Sequence, residues 1–313
     1  MSQPLKPPQL RPGDAIRVLS LASPVKDELL RQGCDELKRL GYVPQVDRAS
    51  VLARDSFFAG SAADRLEALQ EAFAEPASRA IFCSRGGYGS NYLVDSIGTL
   101  HPSPKILLGS SDVTSLQIHL WQTFRLVTFY GPMVASNFCH GAGAPHGYDR
   151  SSLERALTET QSGWTLDLQG ESLVPGAAEG TLLGGCLTLV ETSVGTHWAL
   201  GTHASILLLE DRCMKPYQVD RALMHLKQAG RLSTVAGVLL GEFPECDPPE
   251  GGETVREVAH RILAPLGVPV VWGAPIGHTA RAALTIPLGV RARVIAPEGG
   301  TPKLEILEPA CSA

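Results

Sequence analysis

Short apolar runs alternate with helical patterns from the amino end to Tyr130, and this alternation constrains the fold more than any other feature. The runs are typical of buried strands, and the segments between them repeat apolar residues at the spacing of amphipathic helices. Strands that alternate with helices are joined by right-handed crossovers. This half is therefore predicted to form a mainly parallel sheet covered on both faces. Its predicted strands are Ala15–Ala22, Arg79–Ser84, Lys105–Gly109 and Leu126–Tyr130, and two of its predicted helices are Ala62–Ala74 and Val113–Phe124.

The pattern weakens in the middle of the chain and then becomes richer in strands. The second half contains the predicted strands Ser205–Glu210, Val235–Phe243 and Val268–Trp272, the helices Tyr217–Ala229 and Thr254–Leu263, and the closing strands Leu284–Pro287, Arg291–Ala296 and Leu304–Leu307. We therefore predict an α/β protein of two domains. The first spans residues 1–145, a linker region spans 146–177, and a smaller, β-rich mixed domain spans 178–313.

The composition agrees with two ordinary globular domains. The chain has 313 residues, about twice the length of a typical domain. It carries 27 Lys and Arg against 32 Asp and Glu, so no basic surplus indicates a nucleic-acid partner. The longest apolar runs fall short of the ~18 residues that a membrane helix needs, so no membrane partner is expected. The segment Met1–Asp14 lacks the apolar core of a signal peptide.

Cysteine and histidine usage argues against disulfides and metals. The seven cysteines are an odd number without a CxxC pair, which favours reduced thiols and a cytoplasmic location. The nine histidines show neither an HxxxH pattern nor a cluster with cysteine at zinc spacing. The sequence therefore predicts no metal site, and we expect no cofactor.

A serine pair lies between the apolar strand Lys105–Gly109 and the helix that follows it. A serine on such a turn is exposed at the carboxyl edge of the sheet, where N–H groups of the helix end can stabilise an oxyanion. On residue types alone, Ser110 or Ser111 is either a nucleophile or a simple helix cap. The GxSxG pattern of α/β-hydrolases is absent, because Val113 occupies its last position.

A glycine-rich segment, Arg85-Gly86-Gly87-Tyr88-Gly89, follows the strand Arg79–Ser84. Its spacing is GGxG rather than GxGxxG, and it does not follow the first strand, so a dinucleotide is not expected. Glycines at the end of a strand allow the backbone to approach a ligand and to direct an N–H at it. The alternative is a tight turn with no ligand.

Two further candidates follow strands of the second half. Glu210 and Asp211 close one apolar strand, and the period of two sends their side chains to opposite sides, so that one can face a cleft while the other is solvated. His278 follows the strand Val268–Trp272. An acid at a strand end is commonly an ion-pair partner, and a loop histidine is commonly inert. Together with Ser111, however, Glu210 and His278 form a sufficient set for nucleophilic acyl transfer.

Ordered motifs run through nearly the whole chain. Those of the first half are Leu10-Arg11-Pro12-Gly13-Asp14, Ala59-Gly60 with Arg65, Arg85-Gly86-Gly87-Tyr88-Gly89, Gly109-Ser110-Ser111-Asp112-Val113-Thr114 and Gly131-Pro132-Met133. Those of the second half are Gly184-Gly185 with Gly195-Thr196, Leu209-Glu210-Asp211, Tyr217 with Asp220-Arg221, Gly277-His278 and Pro287-Leu288-Gly289. With these motifs the sequence resembles the LD-carboxypeptidase family of serine peptidases, which includes muramoyl-tetrapeptide carboxypeptidases and microcin C immunity peptidases.

The resemblance implies a Rossmann-like amino-terminal domain, a β-rich carboxy-terminal domain and a catalytic cleft between them. It implies that Ser111 is the nucleophile, that His278 is the general base and then the acid, and that Glu210 orients His278. The oxyanion hole would be formed by the N–H groups of Asp112 and one of the Gly86/Gly87 pair, which we assign to Gly87. We also expect Gly86 and Tyr88 to contact the substrate. The family implies a cytoplasmic enzyme without a metal, commonly a homodimer, that acts on murein-derived peptides.

The chain departs from the family pattern at two places. Cys186 follows the glycine pair where relatives often have asparagine, and Ala282-Ala283 lie where relatives often have asparagine a few residues after the histidine. Neither place belongs to the predicted triad. The prediction is therefore a serine carboxypeptidase that releases a terminal D-amino acid, D-Ala, from murein tetrapeptides. The alternatives are an immunity-type peptidase that cleaves an acyl-aspartyl or acyl-glutamyl amide, and a ligand-binding module without activity.

Overall fold

The computed structural model describes residues 3–97, 102–248 and 251–313. The chain divides into two units: the first consists of Met1–Thr160, Arg281–Pro287 and Ala310–Ala313, and the second of Gln161–Ala280 and Leu288–Pro309. This division differs from the predicted boundaries at 145 and 178. Local patterns cannot show that a late segment returns to an early unit, because strand pairing depends on neighbours in space rather than in sequence.

The elements are numbered in chain order. The strands are β1 (Ala15–Leu19), β2 (Val43–Gln45), β3 (Ser78–Cys83), β4 (Ile106–Gly109), β5 (Thr128–Tyr130), β6 (Trp164–Asp167), β7 (Glu171–Val174), β8 (Gly176–Cys186), β9 (Ser205–Glu210), β10 (Gly237–Gly241), β11 (Val270–Ala274), β12 (Ile286–Leu288), β13 (Arg291–Ala296) and β14 (Lys303–Ile306). The helices are α1 (Asp27–Arg39), α2 (Arg48–Val51), α3 (Ala62–Ala74), α4 (Asn91–Val94), α5 (Thr114–Phe124), α6 (Arg150–Thr158), α7 (Leu187–Thr192), α8 (Pro216–Gln228) and α9 (Val255–Leu263).

The first unit is built on a sheet of strand order β12-β5-β4-β3-β1-β2. Neighbouring strands from β5 to β2 pair in parallel, as the alternating pattern predicts. Strands β3 and β4 are almost entirely buried, which explains why their sequences are continuous apolar runs. The expected strand Leu284–Pro287 is found within two residues, as β12, but it joins this first sheet rather than the second domain.

The second unit is built on a sheet of strand order β6-β14-β13-β8-β9-β10-β11-β7. Its centre, β8 to β11, is parallel, and β13, β14, β6 and β7 add in antiparallel orientation. The predicted α/β class, with a parallel first domain and a smaller, β-rich mixed second domain, is confirmed. The segment predicted as a linker contains α6, β6 and β7 and the start of β8. Strand β8 begins with the small residues Gly-Ala-Ala and therefore does not begin as an apolar run. No local sequence pattern predicts it.

Parallel pairing places the carboxyl ends of neighbouring strands at one edge of each sheet. In the first unit, β3 and β4 are neighbours, so the glycine-rich segment and the serine pair follow them at the same edge. In the second unit, β9 and β10 are neighbours and so are β10 and β11, so Glu210 and the segment that leads to His278 share an edge. Among the described residues, the helices are too short or too polar to cross a bilayer.

Candidate active site

Ser111 occupies a strained turn between β4 and α5. Its φ is +60°, in the left-handed region that residues other than glycine rarely adopt, and it begins a 3-10 turn of residues 111–113. Ser110 is extended, with φ of −150°, and its side chain is buried with 4% exposed. Ser111 is partly exposed. Of the two serines, Ser111 therefore has the geometry of an accessible nucleophile at a strand-to-helix turn.

Tyr130 holds the turn from the neighbouring strand. The Ser111 N–H donates a hydrogen bond of 2.9 Å to the Tyr130 hydroxyl, and Tyr130 is fully buried at the end of β5. Gly109 and Tyr130 are register partners on β4 and β5, so the ring lies directly beside the strand that carries the serine. This bond supports a backbone conformation that costs about 1–3 kcal/mol by itself. Sequence reasoning did not single out Tyr130.

The glycine-rich segment closely approaches the Ser111 turn. A Cβ atom on Gly86 would lie 2.7 Å from Ser111 Cβ, 2.9 Å from Ser111 Oγ and 3.2 Å from the Asp112 nitrogen. Only a residue without a side chain permits this approach, which gives the glycine a packing reason beyond a tight turn. The structure thus brings Gly86 together with Ser111 and Asp112, three of the residues predicted for the site.

We expect Gly86→Ala to lower kcat by about 100-fold, because the new methyl group must push the Ser111 side chain away from its position. The φ of Gly86 is outside the left-handed region, so alanine adds a clash without backbone strain. Gly299→Ala is the matched control, since φ is also ordinary there and a Cβ would meet nothing within 4 Å. Steady-state kinetics and thermal melts of both variants check this, and unchanged kcat in Gly86→Ala would contradict it.

Ser23 and Arg65 fix the shape of the glycine-rich segment. The Ser23 N–H donates to the Gly86 carbonyl at 3.2 Å, and the Ser23 hydroxyl accepts from the Tyr88 N–H at 3.1 Å. The buried Arg65 guanidinium donates to the carbonyls of Leu21 and Gly89, each at 2.8 Å. The resemblance included Arg65 without a role, and no local signal pointed to Ser23. Both hold the segment from elements far away in the sequence.

Asp112 joins the glycine-rich segment to the serine turn. Its carboxylate accepts from the Ser90 N–H at 2.7 Å, and the Ser90 hydroxyl donates to the Asp112 carbonyl. Burial raises the pKa of the Asp112 carboxyl, and hydrogen bonds from Ser90 and Gly89 and the charge of Arg65 partly offset this. The N–H of Asp112 begins a helical turn, a position where backbone donors serve anions. Ser90 thus fixes Asp112, whose N–H is a predicted oxyanion donor, through both its side chain and its backbone carbonyl.

Tyr88 belongs to an exposed aromatic cluster beside the same segment. Its ring centroid lies 5.8 Å from that of Phe58, 5.7 Å from that of Phe57 and 6.1 Å from that of Tyr92. Tyr88 keeps 43% of its surface exposed, and Phe57 and Tyr92 are exposed as well. Exposed aromatic patches commonly mark binding surfaces. The cluster therefore gives the predicted substrate contact, Tyr88, a supported and accessible ring.

Glu210 and His278 form a close pair in the second unit. Glu210 Oε2 accepts from the His278 ring Nδ1 at 2.8 Å and from the His278 backbone N–H at 2.9 Å. The Glu210 side chain is fully buried, and the His278 side chain is 20% exposed. Because the Glu210 carboxylate accepts a hydrogen bond from Nδ1–H, it selects the tautomer with the proton on Nδ1 and a free lone pair on Nε2. Gly277 makes the pairing possible, since a Cβ there would lie 2.4 Å from Glu210 Cδ.

The environment of His278 favours its protonated form. Burial disfavours the imidazolium, but the Glu210 charge and hydrogen bond, with a smaller contribution from Asp211, outweigh it and raise the pKa of His278 above its usual value. A histidine whose pKa is raised in this way is a stronger base than a free imidazole. The pair can accept and return a proton, as acyl transfer requires.

Asp211 differs from the expectation that the second carboxylate is solvated. Its side chain is 5% exposed, and Oδ2 accepts from the Thr188 N–H at 2.9 Å, the Thr188 hydroxyl at 2.7 Å and the Cys186 thiol at 3.4 Å. Alternation does send Glu210 and Asp211 to different partners. The expectation that the second carboxylate is solvated is wrong, because α7 covers Asp211 on the side of the strand that faces away from His278.

The family departures are both accommodated by packing. Cys186 is buried at the start of α7 on the Asp211 carboxylate, and burial, together with the nearby carboxylates, raises the pKa of its thiol well above the usual value. Ala283 is buried, and its backbone bonds to Asp149 and Gly147. All seven cysteines are free thiols. Neither departure removes an atom from the Ser111 turn or from the Glu210–His278 pair.

The groups described so far are a serine on a strained turn, backbone N–H groups beside it and a histidine paired with a buried acid, and they are of the kinds that serine hydrolases use. A two-domain α/β serine hydrolase is the class of protein that this fold and these groups define. Models of the LD-carboxypeptidase N-terminal and C-terminal domains match residues 16–131 and 179–294. The chain therefore belongs to the LD-carboxypeptidase family of serine peptidases, and the resemblance seen in the sequence is confirmed.

Individual relatives agree with this assignment. A putative carboxypeptidase of Streptomyces coelicolor is 36% identical over 306 residues, which cover 96% of this chain and 96% of that protein. A probable murein peptide carboxypeptidase of Bacillus subtilis is 32% identical over 292 residues, covering 92% and 90%. The solved structure of the microcin C7 self immunity protein MccF is similar with a TM-score of 0.86 and 24% identity, over 99% of this chain and 100% of that one. At that identity the likeness concerns the fold alone.

Proposed function

We propose that this protein is an LD-carboxypeptidase that hydrolyses the bond before the terminal D-amino acid, D-Ala, of murein tetrapeptides. The observation that carries the proposal is the Glu210–His278 pair, at 2.8 Å with Glu210 fully buried, in a chain of this family. The alternative interpretations were a solvated surface acid and an inert loop histidine. Neither would form a 2.8 Å hydrogen bond to a fully buried partner. The name of the Bacillus subtilis relative supports murein peptides as the substrate class.

In the proposed mechanism Ser111 Oγ attacks the carbonyl carbon of the scissile amide, and His278 Nε2 takes the proton. Charge develops on the carbonyl oxygen, where the N–H groups of Asp112 and Gly87 would serve as the oxyanion hole. Each such donor typically contributes about 2.7–4 kcal/mol to the transition state. The imidazolium then gives its proton to the leaving amine, and D-Ala departs. Water, activated by the same histidine, hydrolyses the acyl-enzyme and restores Ser111.

The proposal is tested by incubating the protein with murein tri-, tetra- and pentapeptides and with an acyl-aspartyl nucleotide analogue, with products identified by mass spectrometry. We expect release of D-Ala from the tetrapeptide and no cleavage of the other compounds. Cleavage of the nucleotide analogue, without release of D-Ala from the tetrapeptide, would instead assign the protein the immunity-type activity. An irreversible serine-directed probe adds a check on activity as such, since a ligand-binding module would not be labelled at Ser111.

The raised pKa of His278 predicts the pH dependence of the reaction. The neutral imidazole is the base, so kcat/KM falls as the pH drops through the pKa of His278 in the free enzyme. Because the Glu210 charge raises that pKa, the midpoint of the acid limb should lie above the ~6.5 of an ordinary histidine. A pH–rate profile measures it, and NMR titration of His278 in Ser111→Ala checks the assignment. A midpoint below 6.5 would mean that burial outweighs Glu210.

The proposal includes a cytoplasmic location and a homodimer. Free thiols at all seven cysteines, five of them buried, suit a reducing compartment. Cell fractionation of the native host tests the location, with appearance in a secreted fraction as the contrary result. Light scattering coupled to gel filtration tests the assembly, and a mass near the 33.3 kDa of one chain would exclude the dimer.

A further inference from the structure

Glu242 directly follows β10 at the carboxyl edge of the second sheet, and the proposed mechanism gives it no role. Strand β10 lies between β9, which ends in Glu210, and β11, which leads to His278. The Glu242 carboxylate therefore lies at the same edge as the acid–base pair. Its Oε2 atom accepts a hydrogen bond of 2.5 Å from the hydroxyl of Thr279, the residue after His278. Two consecutive residues are thus bound by two different acids.

The loop of residues 275–279 folds back over the end of β10. A Cβ atom on Gly241 would lie 2.9 Å from the Ile276 carbonyl oxygen and 2.6 Å from Glu210 Cβ. Neither neighbour is the far end of a flexible side chain, so only a residue without a side chain fits there. The end of β10 therefore contacts both the loop and the acid that orients His278.

Contacts hold the chain on both sides of His278. On the amino side, a Cβ on Gly277 would lie 2.4 Å from Glu210 Cδ, so the backbone lies directly against that carboxylate. On the carboxyl side, Thr279 is buried, with 8% exposed, and its hydroxyl binds Glu242. Because consecutive Cα atoms are only about 3.8 Å apart, these two contacts restrict the direction in which the His278 ring points.

The pairing of His278 with Glu210 depends on this backbone position. His278 donates to Glu210 from its backbone N–H and from ring Nδ1, and both bonds end on the same atom, Oε2. The His278 side chain is 20% exposed, so packing does not fully enclose the ring. A rotation of the loop would therefore weaken both bonds together. Misplacement of a catalytic group by about 1 Å can cost about 100-fold in rate.

We propose that Glu242 is a positioning residue of the acid–base pair: through Thr279 it fixes the loop that keeps the His278 ring on Glu210. Glu242 does not act on the reacting atoms. What the loop requires from it is a hydrogen-bond acceptor, which a glutamine oxygen at the same place also provides. The inference rests on the proposed function for its effect on rate.

The first test is kinetic and uses a murein tetrapeptide. Thr279→Val keeps the shape of the side chain but lacks the donor, and it should lower kcat by about 10- to 100-fold with KM changed by less than about twofold. Glu242→Ala should lose as much. Thr279→Ser keeps the hydroxyl and Glu242→Gln keeps the acceptor, so both should stay within about threefold of the parent. A kcat within threefold of the parent in both Thr279→Val and Glu242→Ala would overturn the inference.

Thr254→Val is the matched control. The Thr254 hydroxyl also donates to a glutamate of the second unit, Glu257, at 2.9 Å, but it does so at the start of α9. This variant should lower the melting temperature and leave kcat unchanged. A kcat loss in Thr254→Val equal to that in Thr279→Val would mean that general destabilisation is the cause, which would contradict the positioning role.

The double variant Thr279→Val/Glu242→Ala tests whether the two residues act through one bond. Its kcat should be no lower than that of the slower single variant, because the second change removes nothing further. Losses that multiply would show that Glu242 acts independently of Thr279, and the inference would fail.

A measurement without turnover follows the pair itself. In protein labelled with 15N-histidine, at a pH where the imidazole is neutral, His278 of the parent should carry its proton on Nδ1 alone. Thr279→Val and Glu242→Ala should show a mixture of both tautomers, whereas Thr279→Ser and Thr254→Val should not. An unchanged tautomer in Thr279→Val would overturn the inference. If the parent cleaves no peptide while the tautomers shift as expected, the proposed function fails and the positioning of His278 by Glu242 stands.

Discussion

Ser111→Ala should lower kcat by about 10⁶ and leave KM little changed. Removal of Oγ ends the acyl-enzyme route, and members of a catalytic triad act as a unit, so that loss of the nucleophile removes most of what the triad contributes. Alanine keeps the Ser111 Cβ atom, to which a Cβ on Gly86 would come within 2.7 Å, and we expect the variant to keep the turn. Steady-state kinetics on a murein tetrapeptide measure the loss, and labelling by a serine-directed probe should disappear in parallel.

Ser110→Ala is the matched control for this result. Ser110 is extended and 4% exposed, so its hydroxyl lacks the accessibility of Ser111. We expect a decrease in kcat within about tenfold, a barrier change near 1.4 kcal/mol. Activity in Ser111→Ala equal to that of the parent, or a larger loss in Ser110→Ala, would remove Ser111 from the mechanism.

Glu210→Gln should lower kcat by about 10⁴ in a protein that remains folded. Glu210 Oε2 accepts two N–H groups from His278, which fixes the proton on Nδ1 and leaves Nε2 free. An amide of the same shape can turn its NH₂ group to the ring and favour the opposite tautomer. It also removes the charge that compensates the imidazolium, and the corresponding acid-to-amide change in serine proteases costs about 10⁴ in kcat. The pKa of His278 should fall as well, which NMR titration detects.

Asp211→Asn separates this role from that of a neighbouring buried acid. Asp211 Oδ1 accepts from the Arg212 N–H at 2.8 Å while Oδ2 serves Thr188 and Cys186, so an amide must place a donor against a donor. We expect a lower melting temperature, from a loss of about 1–3 kcal/mol, and a decrease in kcat of at most about tenfold. A larger kcat loss in Asp211→Asn than in Glu210→Gln would assign the orienting acid to Asp211.

The first half of the chain was the more predictable part of the fold. Buried parallel strands are continuous apolar runs, and amphipathic helices repeat at their own period, so β3, β4, α3 and α5 are found within one or two residues of their expected positions. The strand β8 was missed because its first residues are small, and strands with that composition carry no periodic signal. The return of β12 to the first sheet was missed because local patterns do not encode pairing partners.

The sequence by itself determined the class of protein and the candidate residues. Strand-to-helix turns bearing glycine or serine, and an acid at a strand end, are local patterns, and the ordered family motifs add the serine, acid and histidine. Only the tertiary structure decided which groups each of these residues contacts and how deeply each is buried. Glu210 and His278 are 68 positions apart, Ser111 depends on Tyr130 from another strand, and Asp211 is buried because α7 covers it. Hydrogen bonding and burial depend on distance in space, and a sequence records that distance only among close neighbours along the chain.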